Sequence, residues 1–224
     1  MTDDHSHGGR DDHSHDHSRD DGDDHSHDHS HDDGDSHSHG GDSRGHAHSH
    51  DHDHSHDDGD GHHAHDLSTV GYAVVTVSTS RTLDDDPAGD AIETAVEDAG
   101  DEVVLRELVA DDFDGVQGRV DSLVDRDDVD CVVTTGGTGV TPDDVTVEAV
   151  RGLFDAELPG FGELFRDLSR EEIGTMVIAT RATAGIVDGV PVFCLPGSEN
   201  AARLGAREII TAEAGHLAGL ARRD

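Results

Sequence analysis

The stretch from Val132 to Thr146 constrains the fold more than any other part of the sequence. It reads Val-Val-Thr-Thr-Gly-Gly-Thr-Gly-Val-Thr-Pro-Asp-Asp-Val-Thr, so a β-branched run enters a glycine loop and a helical pattern follows. A strand that leads through such a loop into a helix presents backbone N–H groups and a helix N-terminus to a phosphate. The nearby carboxylates of Asp143 and Asp144 favour a divalent cation between them and that phosphate. The stretch therefore predicts chemistry on a nucleotide.

Segments on both sides of this stretch alternate between strand and helix patterns. The alternation predicts an α/β fold with three layers, α/β/α, around a mostly parallel sheet. Ligands bind outside the carboxyl ends of the strands in such sheets. We therefore expect one site among loops 78–87, 110–112, 135–144, 180–185 and 196–200. The strands are predicted at 72–77, 102–109, 129–134, 175–180 and 191–195, and the helices at 88–99, 113–125, 145–154, 163–168 and 199–221, with a break at 158–162.

The first 66 residues have a different composition from the rest of the chain. They contain 20 of the 21 histidines and 20 aspartates, with almost no apolar side chains. A segment of this kind cannot bury enough apolar surface to offset its chain entropy. The sequence therefore predicts a disordered tail over residues 1–66 before a folded domain at 67–224.

The tail repeats His-Ser-His units in which histidines alternate with serine or aspartate. Closely spaced imidazoles with carboxylates bind Ni, Cu, Co or Zn without needing a fold. Metal storage or buffering is one interpretation, and a solvated extension that binds metal only incidentally is the other. One such unit contains His25, His27, His29 and His31.

The net charge of −37 is extreme for 224 residues, and all fifteen basic residues are arginine. Self-repulsion of this size is screened in molar salt, where the Debye length is roughly 3 Å. The composition therefore predicts a cytoplasmic protein from a high-salt cell, and the acidity argues against a nucleic-acid partner. No apolar run approaches the length of a membrane span, and no secretory signal is visible. Cys131 and Cys194 lie in apolar runs, which predicts buried, reduced thiols.

Two common phosphate-binding motifs are excluded. A Walker loop needs a lysine, and this chain has none. A dinucleotide fingerprint needs a third glycine after Gly137-Thr138-Gly139, and Pro142 stands there instead.

The sequence resembles the MoaB/Mog family of molybdopterin adenylyltransferases, in its MoaB branch and of haloarchaeal type. The resemblance spans about residues 70–220 and rests on five blocks in order. These blocks are Thr134–Thr146, Leu158–Arg166, Glu171–Thr175, Thr180–Ile186 and Leu195–Ser198.

This resemblance implies a Mg²⁺-dependent reaction in molybdenum cofactor biosynthesis. The terminal phosphate of molybdopterin attacks the α-phosphate of ATP, pyrophosphate leaves, and adenylylated molybdopterin passes to metal insertion by a molybdate insertase. The family also implies a homotrimer or homohexamer.

The resemblance implies roles for particular residues as well. Asp111 and Asp144 would be catalytic and hold Mg²⁺, and Arg181 would meet a substrate phosphate because lysine is absent. A one-residue shift in the match would put Asp112 in the catalytic position in place of Asp111. At Ser198, capping the following helix is the alternative to contact with the pterin. The residues expected to bind nucleotide or pterin are Ser78, Thr135, Gly136, Gly137, Thr138, Gly139, Thr180, Arg181, Gly197 and Ser198.

Three rival interpretations follow from the same residues. The domain could be a molybdopterin-binding carrier without catalysis, or an anchor for a His-rich metal chaperone. It could also be a related domain of the kind found in molybdate insertases or nicotinamide-nucleotide amidohydrolases. Because aspartates are so abundant, Asp112, Asp143 and the run Asp84–Asp86 are interpreted as solvated surface charges.

Overall fold

The computed structural model describes residues 66–222, which form one mixed sheet with helices. The predicted metal-binding tail, including His25, His27, His29 and His31, lies outside the described residues. The strands are β1 (Gly71–Val77), β2 (Glu102–Val109), β3 (Cys131–Thr135), β4 (Ala156–Glu157), β5 (Thr183–Val187) and β6 (Val190–Leu195). The helices are α1 (Pro87–Asp98), α2 (Phe113–Val124), α3 (Thr146–Arg151), α4 (Pro159–Ile173), α5 (Glu199–Gly205) and α6 (Thr211–Ala221). A 3₁₀ helix, Gly174–Ala179, follows α4, and a π-helical turn, Ala206–Ile210, joins α5 to α6.

The strand order is β2-β1-β3-β6-β5-β4. The first four strands in this order are parallel, whereas β5 and β4 run antiparallel to their neighbours. The carboxyl ends of β1, β2, β3 and β6 therefore meet at one edge of the sheet. β5 runs the other way, so the segment before Thr183 reaches the same edge.

Alternating strand residues pack into two separate hydrophobic cores, one on each face of the sheet. The first core packs Tyr72, Val74 and Phe193 against α1, α4 and the C-terminal helices. The second packs Val75 and Val132 against α2 and α3, among other residues. This arrangement confirms the predicted three-layer α/β/α fold with a mostly parallel sheet.

Two further sequence predictions concern buried and apolar segments. Cys131 and Cys194 are buried and free, as predicted, and burial raises the pKa of the Cys194 thiol to about 12. Within residues 66–222, no helix is both long and apolar enough to span a membrane.

The predicted strand at 175–180 is wrong, because this segment forms the 3₁₀ helix Gly174–Ala179. Its apolar side chains do not reach the core, and Ile178 is 90% exposed. The strand that lies next to β6 is instead β5, and a two-residue turn at Asp188-Gly189 connects these two antiparallel strands. Both turn residues have positive φ, at 47° and 78°, which suits the right-handed twist of a hairpin.

The predicted chain break at 158–162 is also wrong. Pro159 occupies the first turn of α4, where a missing N–H costs nothing because that group would have no partner inside the helix. A side chain at Gly162 would lie 2.7 Å from the Ala182 carbonyl oxygen. The glycine therefore lets α4 pack directly against the segment that leads into β5.

Asp86 is a buried charge, not a surface one as predicted. Its carboxylate accepts hydrogen bonds from the Thr76 hydroxyl at 2.5 Å, the Gly89 amide at 3.1 Å and the Arg106 guanidinium at 3.1 Å. It also pairs with Arg81 at 3.3 Å. Burial acts to raise the pKa of Asp86, but these hydrogen bonds outweigh it and leave that pKa below its ordinary value. Asp86 thus joins the end of β1, the following loop and the start of α1.

Asp86→Asn should lower the free energy of unfolding by about 2–3 kcal/mol, because it leaves the partners of a buried carboxylate unpaired. The matched exposed change in α1, Asp98→Asn, should alter it by less than about 0.5 kcal/mol. Chemical denaturation in high salt measures both. Since folding lowers the pKa of Asp86, the wild-type advantage should be complete at neutral pH, begin to fall near pH 4, and be lost as the pH drops through the folded pKa. Equal stabilities of the two variants would contradict this assignment.

Candidate active site at the carboxyl edge of the sheet

The strand ends are in close contact at Gly136. The Gly136 amide donates to the Leu195 carbonyl at 3.0 Å, and the Thr135 hydroxyl donates to the Pro196 carbonyl at 3.0 Å. Gly136 has a φ of 101°, and a side chain there would clash with the Val77 carbonyl oxygen. The ends of β1, β3 and β6 are thereby brought together, as the sequence predicted for Thr135, Gly136 and Gly197.

The glycine loop offers two amides to an anion. The Gly136 amide donates to the Leu195 carbonyl of β6 and the Gly139 amide donates to Asp144, so neither can donate to an anion. Among the described residues, no hydrogen-bond acceptor is found for the amides of Gly137 and Thr138. A side chain at Gly137, where φ is 62°, would meet the Thr146 hydroxyl.

Asp144 closes this loop on itself. One carboxylate oxygen accepts from the Gly139 amide at 2.9 Å, and the other accepts from the Thr141 amide at 2.8 Å and hydroxyl at 2.6 Å. Burial acts to raise the pKa of Asp144, but these hydrogen bonds and the charge of Arg181 leave that pKa below its ordinary value. A carboxylate has about four acceptor positions, so Asp144 retains capacity for a further ligand.

Asp111 faces the same loop from the end of β2. Its Oδ1 atom lies 3.1 Å from the position that a Gly137 side chain would occupy. Burial and the neighbouring charge of Asp144 raise the pKa of Asp111 above its ordinary value, although a hydrogen bond from the Thr79 backbone opposes this. Asp112 has a different task, because it caps α2 by accepting from the Gly115 amide at 2.9 Å. Of the two adjacent acids, it is Asp111 that faces the glycine loop.

The oxygen atoms around Asp111 and Asp144 suit a hard divalent cation. The charge of Asp144 acts on Asp111, and the Thr146 hydroxyl, buried beside Gly137, has no hydrogen-bond partner among residues 66–222. No group of three or more His, Cys, Asp or Glu side chains within residues 66–222 could hold a metal. A cation here would therefore complete its shell with water and substrate oxygens, as Mg²⁺ commonly does.

The Arg181 guanidinium holds the loop in place. Nε donates to the Thr138 carbonyl at 3.4 Å, Nη2 donates to the Asp144 carbonyl at 2.9 Å, and Nη1 pairs with Glu148. Its charge is therefore already partnered on the protein side. The role of Arg181 as a cation for a substrate phosphate stays a prediction.

A cavity of about 350 Å³, which we call the loop cavity, collects most of the predicted binding residues. Thr180 reaches it from the segment before β5. Ser78 lies at the adjacent end of β1, where its hydroxyl accepts from the Ser80 and Arg81 amides at 3.3 Å each. The loop cavity is lined by Gly136, Gly137, Thr138, Gly139, Asp144, Ala179, Thr180, Pro196 and Gly197.

Ser198 is not among the residues that line the loop cavity. It is the N-cap of α5, and its hydroxyl accepts from the Ala201 amide at 3.4 Å. Its N-cap role is confirmed, whereas pterin contact stays a prediction.

Sequence reasoning missed Arg81 at this site. Its guanidinium donates to the Gly197 carbonyl at 2.9 Å and pairs with Asp86, so it ties the loop after β1 to the loop after β6. The Asp86-Pro87 pair was a signal for the start of α1, because aspartate is a favoured N-cap and proline suits the first helical position.

Comparisons with known proteins agree on one family. A family model described as a probable molybdopterin binding domain matches residues 73–216. The molybdenum cofactor biosynthesis protein B of Halalkalibacterium halodurans is 41% identical over 150 residues, which cover 66% of this chain and 88% of that protein. The probable molybdopterin adenylyltransferase of Methanocaldococcus jannaschii is 39% identical over 160 residues, which cover 68% and 94%.

A solved structure agrees with these sequence matches. The tungsten cofactor synthesizing protein MoaB from Pyrococcus furiosus is 40% identical to this chain and superposes with a TM-score of 0.63. The match covers 70% of this chain and 99% of that one.

Asp144→Asn should weaken binding of a divalent cation at least about tenfold, because it removes one of two facing charges while keeping an acceptor oxygen for the loop. Mn²⁺ binding followed by electron paramagnetic resonance measures this directly. The exposed neighbour offers a matched control, and Asp143→Asn should change the affinity by less than about twofold. An unchanged Mn²⁺ affinity in Asp144→Asn would mean that Asp144 only stabilises the loop and does not bind the cation.

Proposed function

This chain belongs to the MoaB/Mog family of molybdenum cofactor biosynthesis proteins, and we propose that it transfers an adenylyl group from ATP to molybdopterin with release of pyrophosphate. The family match over residues 73–216 and the relatives near 40% identity confirm the resemblance found in the sequence. One observation carries the proposal: Asp111, Asp144 and the free amides of Gly137 and Thr138 converge at one edge of the sheet.

The reaction needs positioning and charge neutralisation more than covalent chemistry by the protein. A phosphate oxygen of molybdopterin forms a bond to the α-phosphorus of ATP, and the bond from that phosphorus to the pyrophosphate oxygen breaks. Mg²⁺, when held by Asp111 and Asp144, supplies positive charge to the phosphate oxygens. The amides of Gly137 and Thr138 donate to a phosphate, and the Thr180 hydroxyl binds the pterin side of the loop cavity.

Neighbouring parts of the chain keep these groups in register. Arg181, which pairs with Glu148, donates hydrogen bonds to the carbonyls of Thr138 and Asp144. Arg81 donates to the carbonyl of Gly197. Such preorganisation matters because a small displacement of a phosphate donor lowers the rate steeply. The block Thr134–Thr146 is thus held by Arg181 from the segment before β5, while Arg81 holds the adjacent loop after β6.

The decisive assay follows pyrophosphate from ATP, Mg²⁺ and molybdopterin in high salt. Asp111→Asn should lower the turnover about 10²- to 10³-fold, as expected for loss of a group that stabilises the transition state. Asp112→Asn, its neighbour on the α2 N-cap, should keep turnover within about twofold and leave stability nearly unchanged, because asparagine caps a helix about as well as aspartate. Molybdopterin binding without pyrophosphate release in the wild-type chain would favour the non-catalytic carrier instead.

Assembly into a homotrimer or homohexamer forms part of this proposal. Large apolar side chains at Ile173, Met176 and Ile178 lie exposed on and beside the 3₁₀ helix, and Met176 is 68% exposed. Exposed apolar clusters of this kind are common at interfaces between subunits. We expect adenylylated molybdopterin to pass to a molybdate insertase, and the proposed location is the cytoplasm of a high-salt cell.

A second candidate function belongs to the tail. Its 20 histidines, interleaved with aspartates, favour storage or buffering of Ni, Cu, Co or Zn. Metal binding by the tail and adenylyl transfer by the folded domain do not exclude each other on one chain. The domain would then also anchor a metal chaperone.

Equilibrium dialysis against Ni²⁺ tests this second function. The full chain should retain several ions, whereas a variant chain that begins at Leu67 should retain almost none, because residues 66–222 hold no cluster of three metal-binding side chains. Unfolding curves of both chains check that the shorter one is folded. Equal Ni²⁺ content in two folded chains would refute metal binding by the tail.

A further inference from the structure

The first residues that the structure describes are docked on helix α6. The Leu67 amide donates to the Gly215 carbonyl at 3.3 Å, and a side chain at Gly215 would lie 3.0 Å from the Leu67 carbonyl oxygen. Leu67 also packs against the first hydrophobic core, in which Val70 is buried. The start of the folded domain is therefore held at a fixed place beside α6.

Asp66, the last residue of the predicted tail, contacts His216 of α6 at this place. Its Oδ1 atom lies 2.7 Å from Nδ1 of His216. An ionised carboxylate only accepts hydrogen bonds, so a neutral imidazole in this pair carries its proton on Nδ1 and binds a metal through Nε2. Histidines that ligate metals commonly donate their second N–H to a carboxylate, because the contact fixes the tautomer and the orientation of the ring. His216 thus has the arrangement of a metal-ligating histidine.

A carboxylate follows the same face of α6. Glu213 precedes His216 by three residues and is exposed. Residues at this spacing share one face of a helix, and Glu-x-x-His pairs supply ligands in the metal sites of helical bundles. Within residues 66–222, no group of three or more His, Cys, Asp or Glu side chains could hold a metal. Further protein ligands for a metal at His216 must therefore come from the chain before Asp66.

The sequence before Asp66 supplies such ligands. His62, His63 and His65 precede it closely, and the chain has no histidine after Asp66 other than His216. These three residues lie outside the described part of the chain, but the length of the peptide limits their Cα atoms to within about 15 Å of the Asp66 Cα atom. A metal on α6 is within reach of their imidazoles, and closing so short a loop costs little chain entropy.

We propose that His216 and histidines of residues 62–65 together bind one divalent transition-metal ion, with Glu213 as a further oxygen ligand. Imidazole ligands favour Zn, Ni, Cu or Co, so this ion differs in kind from the Mg²⁺ proposed beside the glycine loop, where the ligands are oxygen atoms. The assignment rests on the proposed metal binding by the tail. It adds to that function a ligand that is fixed on the folded domain.

A site that joins residues 62–65 to α6 exists only in the folded chain. Metal held by tail histidines alone binds the folded and the unfolded chain equally and leaves the stability unchanged, whereas metal on His216 favours the folded chain. Where the folded chain binds Zn²⁺ about tenfold more tightly than the unfolded chain, saturating Zn²⁺ should raise the midpoint of thermal unfolding by about 3–6 °C.

Thermal unfolding of the full chain in high salt, with and without saturating Zn²⁺, tests the assignment. The wild-type chain should show the Zn²⁺-dependent rise in the midpoint. His216→Gln should lose it, because the ligand on the folded domain is gone. The combined change His62→Gln, His63→Gln and His65→Gln should lose it as well, because the ligands on the other side of the site are gone.

The matched control removes as many imidazoles from another part of the tail. The combined change His25→Gln, His27→Gln and His29→Gln should keep the full Zn²⁺-dependent rise. The midpoint of each variant without metal measures what the substitution does to the fold itself. A purely structural role of the His216–Asp66 contact would appear in that midpoint and not in the rise caused by Zn²⁺.

A Zn²⁺-dependent rise of the wild-type size in folded His216→Gln would overturn the assignment, and the same result in the variant lacking His62, His63 and His65 would overturn it even if His216→Gln did not fold. Absence of the rise in a wild-type chain that retains Zn²⁺ in equilibrium dialysis would also overturn it, while leaving metal storage by the tail intact. A wild-type chain that retains no Zn²⁺ in dialysis would refute metal binding by the tail and this site with it.

Discussion

No side chain fits between the strand ends at Gly136, and the rest of the site depends on that contact. The Val77 carbonyl occupies the space that a Cβ atom would need, and the Gly136 Cα atom lies 3.1 Å from where a Gly197 side chain would start. Three parallel strands therefore deliver their following loops to one small region. A bulkier residue would separate β1 from β3 and move Asp111 away from Asp144, since each acid sits on a loop that starts within a few residues of this contact.

Environment separates the aspartates in a way that composition alone does not. Asp86, Asp111, Asp112 and Asp144 belong to the same acidic chain, yet Asp86 is buried among arginines and Asp112 caps a helix. Asp111 and Asp144 both border the glycine loop, and burial, followed by the neighbouring charge of Asp144, raises the pKa of Asp111. Two carboxylates that the fold holds beside one glycine loop are typical of a site for a divalent cation.

The sequence predicted those parts of the fold that local pattern controls. β1, β2, β3 and β6 are apolar runs that form the parallel part of the sheet, with β2 at its edge, and α1 and α2 have clear apolar faces, so their bounds were close. The segment 174–179 also contains β-branched residues, but the place beside β6 belongs to β5, which the Asp188-Gly189 turn joins to β6 as a hairpin. At the site, the glycine loop and the acids were visible in sequence. The partners of Arg81 and Arg181 were not, because both pair with carbonyls or carboxylates that are distant along the chain.

The charge balance of the site limits how it can bind polyphosphate. In a chain with net charge −37, Arg81 and Arg181 contact the loops of the site, and both are already engaged, Arg81 with Asp86 and Arg181 with Glu148. Two free loop amides offer only partial charges, and α3 is a helix of six residues whose dipole is correspondingly small. On the proposed function, most of the positive charge that meets the phosphates must therefore arrive with the substrate as its bound cation. On that proposal the carboxyl edge of the sheet needs acids that hold a cation, not lysines that pair with phosphate directly.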